Sequence, residues 1–207
     1  MIITQKKEVP DVTYEDPDDD RKLELYKEMN PIDPRDHGRL GVMFCTHKKY
    51  DLGDEQINVD DYSGWSEIRE YLENEREAIV CLPLYLYDHS GLRIKVGSFS
   101  GQLPQGHARF DSGQVGFIYT TKERAENFGF EDKSEEELEK MLKDEVKEYD
   151  HYLSGNVYRY IYYEDGDRED SCTGFFGNPK EILGHIEEYI DAENIEEWDR
   201  DKYDRYH

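Results

Sequence analysis

The segment AIVCLPLYLYDHSGLRIKV (78–96) leaves the chain few folds to choose from. Apart from Cys81 and Pro83, its first ten residues are β-branched, aliphatic and aromatic side chains of the kind that fit a pleated, half-buried surface. Asp88, His89, Ser90 and Gly91 then form a turn signal, because short polar side chains bond nearby backbone N–H groups and glycine supplies positive φ. Leu92, Ile94 and Val96 follow at the two-residue period of a strand. Strand, turn and strand in direct succession make a β-hairpin, so the sheet around it is antiparallel. Pro83 lacks a backbone donor, which places it at a sheet edge or a bulge. The apolar run is far short of the roughly 20 residues needed to span a bilayer.

The rest of the chain alternates in kind without strict βαβ order. LGVMFCTH within 38–50 reads as a buried strand, and DLGDEQINVDD after it as a loop without a glycine-rich phosphate pattern. A helix is expected at about 63–76, with Trp65, Ile68 and Leu72 on one face. QVGFIYT (114–120) reads as a strand and 122–128 as a short helix stopped by Gly129. Ser134 with Glu137 three residues on is a capping box. It starts a long helix whose stripe is Leu138, Leu142, Val146, Tyr149 and Leu153. NVYRYIYYE (156–164) and EDSCTGFF (169–176) form a second hairpin around DGD, and a last helix covers 178–190. The expectation is an α+β fold, with a mainly antiparallel sheet and helices packed on one face. It occupies 37–192 as a single domain. Residues 1–36, with four prolines and Asp18-Asp19-Asp20, read as an acidic, largely extended arm with a short helix at about 20–29. Residues 193–207 read as an acidic, aromatic tail.

Charge limits the function classes. Fifty acidic against 26 basic residues give a net charge of −24. Such a field repels nucleic acid and anionic membranes, so the expected partner is a basic protein. Adaptation to a salty cytoplasm would produce the same composition. Cys45, Cys81 and Cys172 are too scattered for a disulfide framework and form no CxxC. With no HExxH pattern, and no apolar leader in the first twenty residues, the expectation is a cytoplasmic, reduced protein without metal or cofactor. At 207 residues it can bury a core without cross-links.

Three Asp/Ser/Gly corners invite a catalytic reading: DHSG at 88, DSGQ at 111 and DSCTG at 170. A hydrolase-like site would join Asp88, His89, Asp111, Ser112 and Cys172, since a nucleophile needs a base in reach and a third group to orient it. The same residues are also favourable turn formers, and DSGQ is not the GxSxG elbow. Cys45 and His47 are two apart on a strand and share a side, an arrangement that suits a thiolate pair or simply a buried cysteine.

The acidic helices offer a non-catalytic alternative. SEEELEKMLKDEVKEYD and HIEEYIDAENIEEWDRD carry carboxylates opposite their apolar stripes. Rows of acids on helices imitate the charge of a phosphate backbone. The partner-binding candidates are Glu187, Glu188, Glu196, Glu197 and Asp199, with Trp198 as an aromatic anchor. Tyr158, Tyr160 and Tyr162 alternate on one strand face, as an interface or as core.

LGVMFCTHKKYDLGDE, LPLYLYDHSG, DSGQVGFIYTTKE, EVKEYDHYLSGNVY and DSCTGFFG, in that order over 38–178, resemble a widespread family of uncharacterised proteins of phages, plasmids and other mobile elements. The resemblance implies a genomic setting and no particular reaction. The chain departs from the family pattern where Ala108 stands in place of a cysteine, Asn156 and Arg159 alter a GDVYGY-like motif, and Thr173 replaces an aromatic. An acidic chain in that setting is expected to be an anti-defence protein, occupying the nucleic-acid surface of a host CRISPR effector or restriction enzyme. The alternatives are the hydrolase-like enzyme and a non-enzymatic accessory protein that binds another phage protein.

Overall fold

A computed structural model describes residues 8–16, 18–89, 91–100, 112–190 and 195–201. Along the first half run β1 (Val12–Glu15), β2 (Arg21–Lys27), β3 (Val42–Cys45), β4 (Glu55–Gln56), α1 (Trp65–Asn74), β5 (Ala78–Asp88) and β6 (Leu92–Val96). Then come β7 (Ser112–Thr121), α2 (Lys122–Asn127), α3 (Glu135–Leu153), β8 (Val157–Glu164), β9 (Asp167–Phe176), α4 (Pro179–Ile190) and β10 (Asp199–Asp201). The fold is α+β, with two five-stranded, mostly antiparallel sheets. The chain divides into two compact units, one from 33–154 and one from its two ends, 1–32 and 155–207.

The 33–154 unit holds the sheet ordered β4-β3-β7-β5-β6. The hairpin at 78–96 forms, with Asp88 opposite Leu92. Pairing of β5 with β6 begins at Leu84, and β5 shifts register against β7 between Leu84 and Tyr85, so Pro83 lies beside a bulge. Strand alternation divides β3 between two cores. Met43 and Cys45 pack with Leu84, Ile94 and Ile118 beneath Leu138, Leu142, Val146 and Tyr149 of α3. Val42 and Phe44 pack with Phe117 and Tyr119 beneath Ile68 and Leu72 of α1. Helices therefore cover both faces of this sheet, where the sequence suggested one. The reason is that β3 and β7 are apolar at consecutive positions, and each face has a stripe to bury. The Ser134–Glu137 capping box is present at the start of α3.

The unit of the chain ends holds the sheet ordered β10-β1-β2-β8-β9. Leu23, Leu25, Tyr158, Tyr160 and Tyr162 form its core with Tyr14 and with Ile182, Leu183 and Ile186 of α4. This corrects the expectation of an extended arm over 1–36. Residues 12–27 are a paired hairpin, and 21–27 are strand rather than helix. Val12 and Tyr14 alternate with polar neighbours, as do Leu23 and Leu25, but these short period-two signals flank an acidic turn that reads as solvated chain. The tail is corrected too: Ile195 and Trp198 are buried and β10 pairs with β1. The single domain expected over 37–192 is instead divided after residue 154, and its C-terminal part shares a sheet with residues 12–27.

Candidate functional site

Within the 33–154 unit, Asp88 and Ser112 take opposite faces of one sheet. Asp88 ends β5, where its carboxylate accepts from the Tyr50 hydroxyl (3.2 Å) and from Lys49 Nζ (3.4 Å). Ser112 opens β7 and pairs in register with Tyr87, so alternation sends it to the face opposite Asp88. The His89 ring lies 6.0 Å from that of Tyr87. Cys172 is exposed on β9, in the sheet of the other unit, with its Sγ 3.7 Å from the Thr173 carbonyl. Asp111 lies outside the described residues. Cys45 is fully buried and burial pushes its thiol up to about 12, which keeps it protonated. His47 stacks on Tyr50 at 4.9 Å, with its Nδ1 accepting from the Lys49 N–H. Among the described residues, no cluster of His, Cys, Asp and Glu is arranged to hold a metal ion.

The partner-binding candidates divide as well. Trp198 is 7% exposed and packs in the core of the β10-β1-β2-β8-β9 sheet under the Arg21 guanidinium, 5.2 Å from its ring. It is a structural residue, not a free anchor. Glu187 Oε1 accepts from the Ile195 N–H at 2.8 Å and so fixes the entry to the C-terminal segment. Glu188 and Glu196 are exposed. The side chains of Glu197 and Asp199 lie outside those described, although the Asp199 backbone pairs with Glu15.

A feature that sequence reasoning missed is the second face of the β10-β1-β2-β8-β9 sheet. α4 covers the face of Leu23 and Leu25; alternation turns Lys22, Glu24 and Tyr26 to the other, with Thr13 and Glu15 of β1 and Arg159, Ile161 and Tyr163 of β8. These residues line a concavity of about 880 Å³, together with Glu8, Val9 and Pro10 and with Asp16, Asp19 and Asp20. Cross-strand register builds its floor. Lys22 is opposite Tyr163 and places its ammonium 4.6 Å from that ring. Tyr26 is opposite Arg159, whose guanidinium is 4.2 Å from the Tyr26 ring. Each cation also meets a carboxylate: Lys22 bonds Glu24 at 2.9 Å, and Arg159 pairs with Glu8.

The electrostatics follow from these contacts. Burial pushes the Glu24 carboxyl up, but the Tyr26 hydroxyl (2.7 Å) and the Lys22 ammonium outweigh it and hold the group below the ordinary carboxylate range. Burial and the bond to Glu24 push the Tyr26 hydroxyl well above its usual value. The face thus combines fixed carboxylates with aromatic rings that accept cations. The alternation Val12-Thr13-Tyr14-Glu15 and Leu23-Glu24-Leu25-Tyr26 was the signal that could have found it. Comparison of the chain with models of protein families, with curated proteins and with solved structures finds no match. Among the described residues, no helix is long and apolar enough to cross a membrane.

Proposed function

We propose that the chain is an acidic binding protein of a mobile element that occupies the basic, nucleic-acid-binding surface of a host defence effector, a CRISPR effector or a restriction enzyme. The carrying observation is how its charges are distributed. Arginines are tied up in ion pairs and backbone contacts that hold the unit together. Arg35 bonds Asp54, Glu145 and the Gly41 carbonyl. Arg39 meets Glu148, Arg93 meets Asp150, and Arg124 donates to the Leu40 carbonyl. The acids of α1 face outward: Glu67, Glu70 and Glu73 are exposed, with Asp60 and Asp61 before the helix and Glu75 and Glu77 after it. At three-residue spacing these carboxylates recur about every 4.5 Å of helix axis. A DNA strand carries one phosphate about every 3.4 Å of axis. In a chain of net charge −24, such rows offer a basic groove what DNA offers it.

The reading includes the mobile-element setting drawn from the ordered motifs over 38–178, and it excludes Trp198 as an anchor. Inhibition follows from occupancy and involves no bond making. The test adds the purified chain to restriction enzymes and CRISPR effectors and measures DNA binding and cleavage. The expected result is competition with DNA, fading steeply between about 50 and 200 mM salt because ion pairs at exposed surfaces are screened. An effector that holds this chain and still binds its DNA, or an affinity indifferent to salt, overturns the proposal.

A further inference from the structure

We infer that the concave face of the β10-β1-β2-β8-β9 sheet is the docking surface for an extended, arginine- or lysine-bearing segment of the partner protein. The inference rests on the acidic-occupancy reading and names where one part of the partner goes. Three observations carry it.

The first is charge complementarity. The lining holds the carboxylates of Glu8, Glu15, Asp20 and Glu24 against the cations of Lys22 and Arg159. Asp16 and Asp19, at its edge, pair with Arg21, whose guanidinium covers Trp198. The concavity therefore attracts cations and repels phosphate, which argues against nucleic acid as its occupant.

The second is that the face already makes, within the chain, the contact it would make with a guest. A long cationic side chain lies over an aromatic ring and ends on a carboxylate twice, as Lys22–Tyr163–Glu24 and as Arg159–Tyr26–Glu8. Beside them Ile161 and Tyr163 are half-buried and Glu15 is exposed. They offer an apolar floor for the methylenes of an incoming arginine and an acceptor for its guanidinium.

The third is size and shape. A concavity of about 880 Å³ accommodates a few side chains of one extended segment rather than a whole domain. Its lining is mixed in polarity, which suits peptide side chains with polar ends better than an apolar small molecule.

The experiment uses the full chain and a labelled, unstructured ten-residue peptide with four arginines among serines, followed by fluorescence anisotropy at low salt. Glu15→Gln with Asp20→Asn removes two charges at the concavity. Glu131→Gln with Glu136→Gln removes two exposed charges just before and at the start of α3, in the other unit and outside the α1 row. Tyr163→Ser removes the ring without touching charge, and circular dichroism checks that each variant keeps its fold. The expected result is a loss of about tenfold in affinity for the first pair, less than about twofold for the second, and about threefold for Tyr163→Ser. Equal losses for the two charge pairs, with Tyr163→Ser unchanged, overturn the inference: the peptide then senses only the overall field, and the occupancy function is untouched. A wild-type chain that inhibits an effector but does not bind the peptide also overturns it. A chain that does neither overturns both readings.

Discussion

The sheet within 33–154 is buried on both faces, under α1 and α3, while helix α4 covers a single face of the sheet built from the chain ends. The two sheets have five strands each and similar alternation. What separates them is the second set of positions. In β3 and β7 both sets are apolar, and a helix lies on each. In β2 and β8 one set is apolar and the other reads Lys22, Glu24, Tyr26 and Arg159, Ile161, Tyr163. A sheet face on which no helix lies among the described residues must be compatible with water, and this one is built from charges bridged by rings. The doubly covered sheet serves as scaffold; the singly covered one retains a surface with which to bind.

Trp198→Ala tests that division most severely. If the C-terminal segment were only a tail, the change would leave stability alone. Because Trp198 closes the core beneath α4, the substitution is expected to cost about 3–4 kcal/mol. Hydrogen exchange at Leu23 and Leu25 would report it as lost protection. A shift below about 0.5 kcal/mol would return Trp198 to the surface and blur the contrast between the sheets.

Gly116 and Gly113 provide a comparison within one strand of the doubly covered sheet. A Cβ at Gly116 would lie 2.2 Å from the Phe44 carbonyl oxygen, whereas one at Gly113 meets nothing within 4 Å. Backbone cannot swing aside as a side chain can, so Gly116→Ala is expected to cost about 3 kcal/mol and Gly113→Ala less than about 0.5. Urea midpoints of the two variants check it. Equal midpoints would mean that β7 and β3 are not in the close register described.

These contrasts also explain what the sequence could disclose. The hairpin at 78–96, the capping box at Ser134 and the stripe on α3 were legible because each is a long or doubly marked local pattern. The α+β class follows from them. The hairpin at 12–27 was not legible. Its strands are four and seven residues long, and five acids flank its turn. Its stability comes from pairing with β8 and β10, more than 130 residues away, which no local window contains. The concave face was hidden for the same reason, since it exists only once β1, β2 and β8 are side by side. The corner at Asp88 was legible as a turn, whereas Ser112 and Gly113, which read as a turn, are paired strand residues; neither was legible as a site, because convergence depends on which face each side chain takes.

Asp150→Ala gives a smaller effect, again in the scaffold unit. Asp150 is buried at the C-terminal end of α3 and accepts from Arg93 Nε and Nη2 (2.8–3.0 Å) and from the Ile94 N–H (2.8 Å). Its loss leaves the Ile94 N–H without its carboxylate, whereas the Arg93 side chain, 56% exposed, returns its charge to water. The expected cost is about 2 kcal/mol, less than for a pair buried at both ends. Thermal unfolding of Asp150→Ala and Asp150→Asn checks it. A value near 4 would mean that Arg93 is more enclosed than its exposure indicates.

The acid limb of stability should separate the two units least. In the scaffold unit, Lys133 bonds the Glu137 carboxylate and the Ser134 backbone N–H donates to it, which lowers it from 4.5 to about 2. In the other, the Tyr26 and Lys22 bonds hold Glu24 below its ordinary value against the opposing effect of burial. A carboxyl with a depressed folded-state pKa binds its proton more readily when unfolded. Its contribution is therefore present above the unfolded value, near 4.5, and lost as pH falls through the folded one. For Glu137 the window runs from about 4.5 down to about 2. Glu137→Gln and Glu24→Gln should each flatten the urea midpoint across acid pH and leave its slope at neutral pH unchanged. If only Glu24→Gln flattens it, the carboxylates of the concave face are the more strongly coupled set, and the difference between the two sheets extends from packing to titration. If only Glu137→Gln does, the network around Tyr26 is looser than its bonds suggest, and a cationic guest would meet a face that must first be organised.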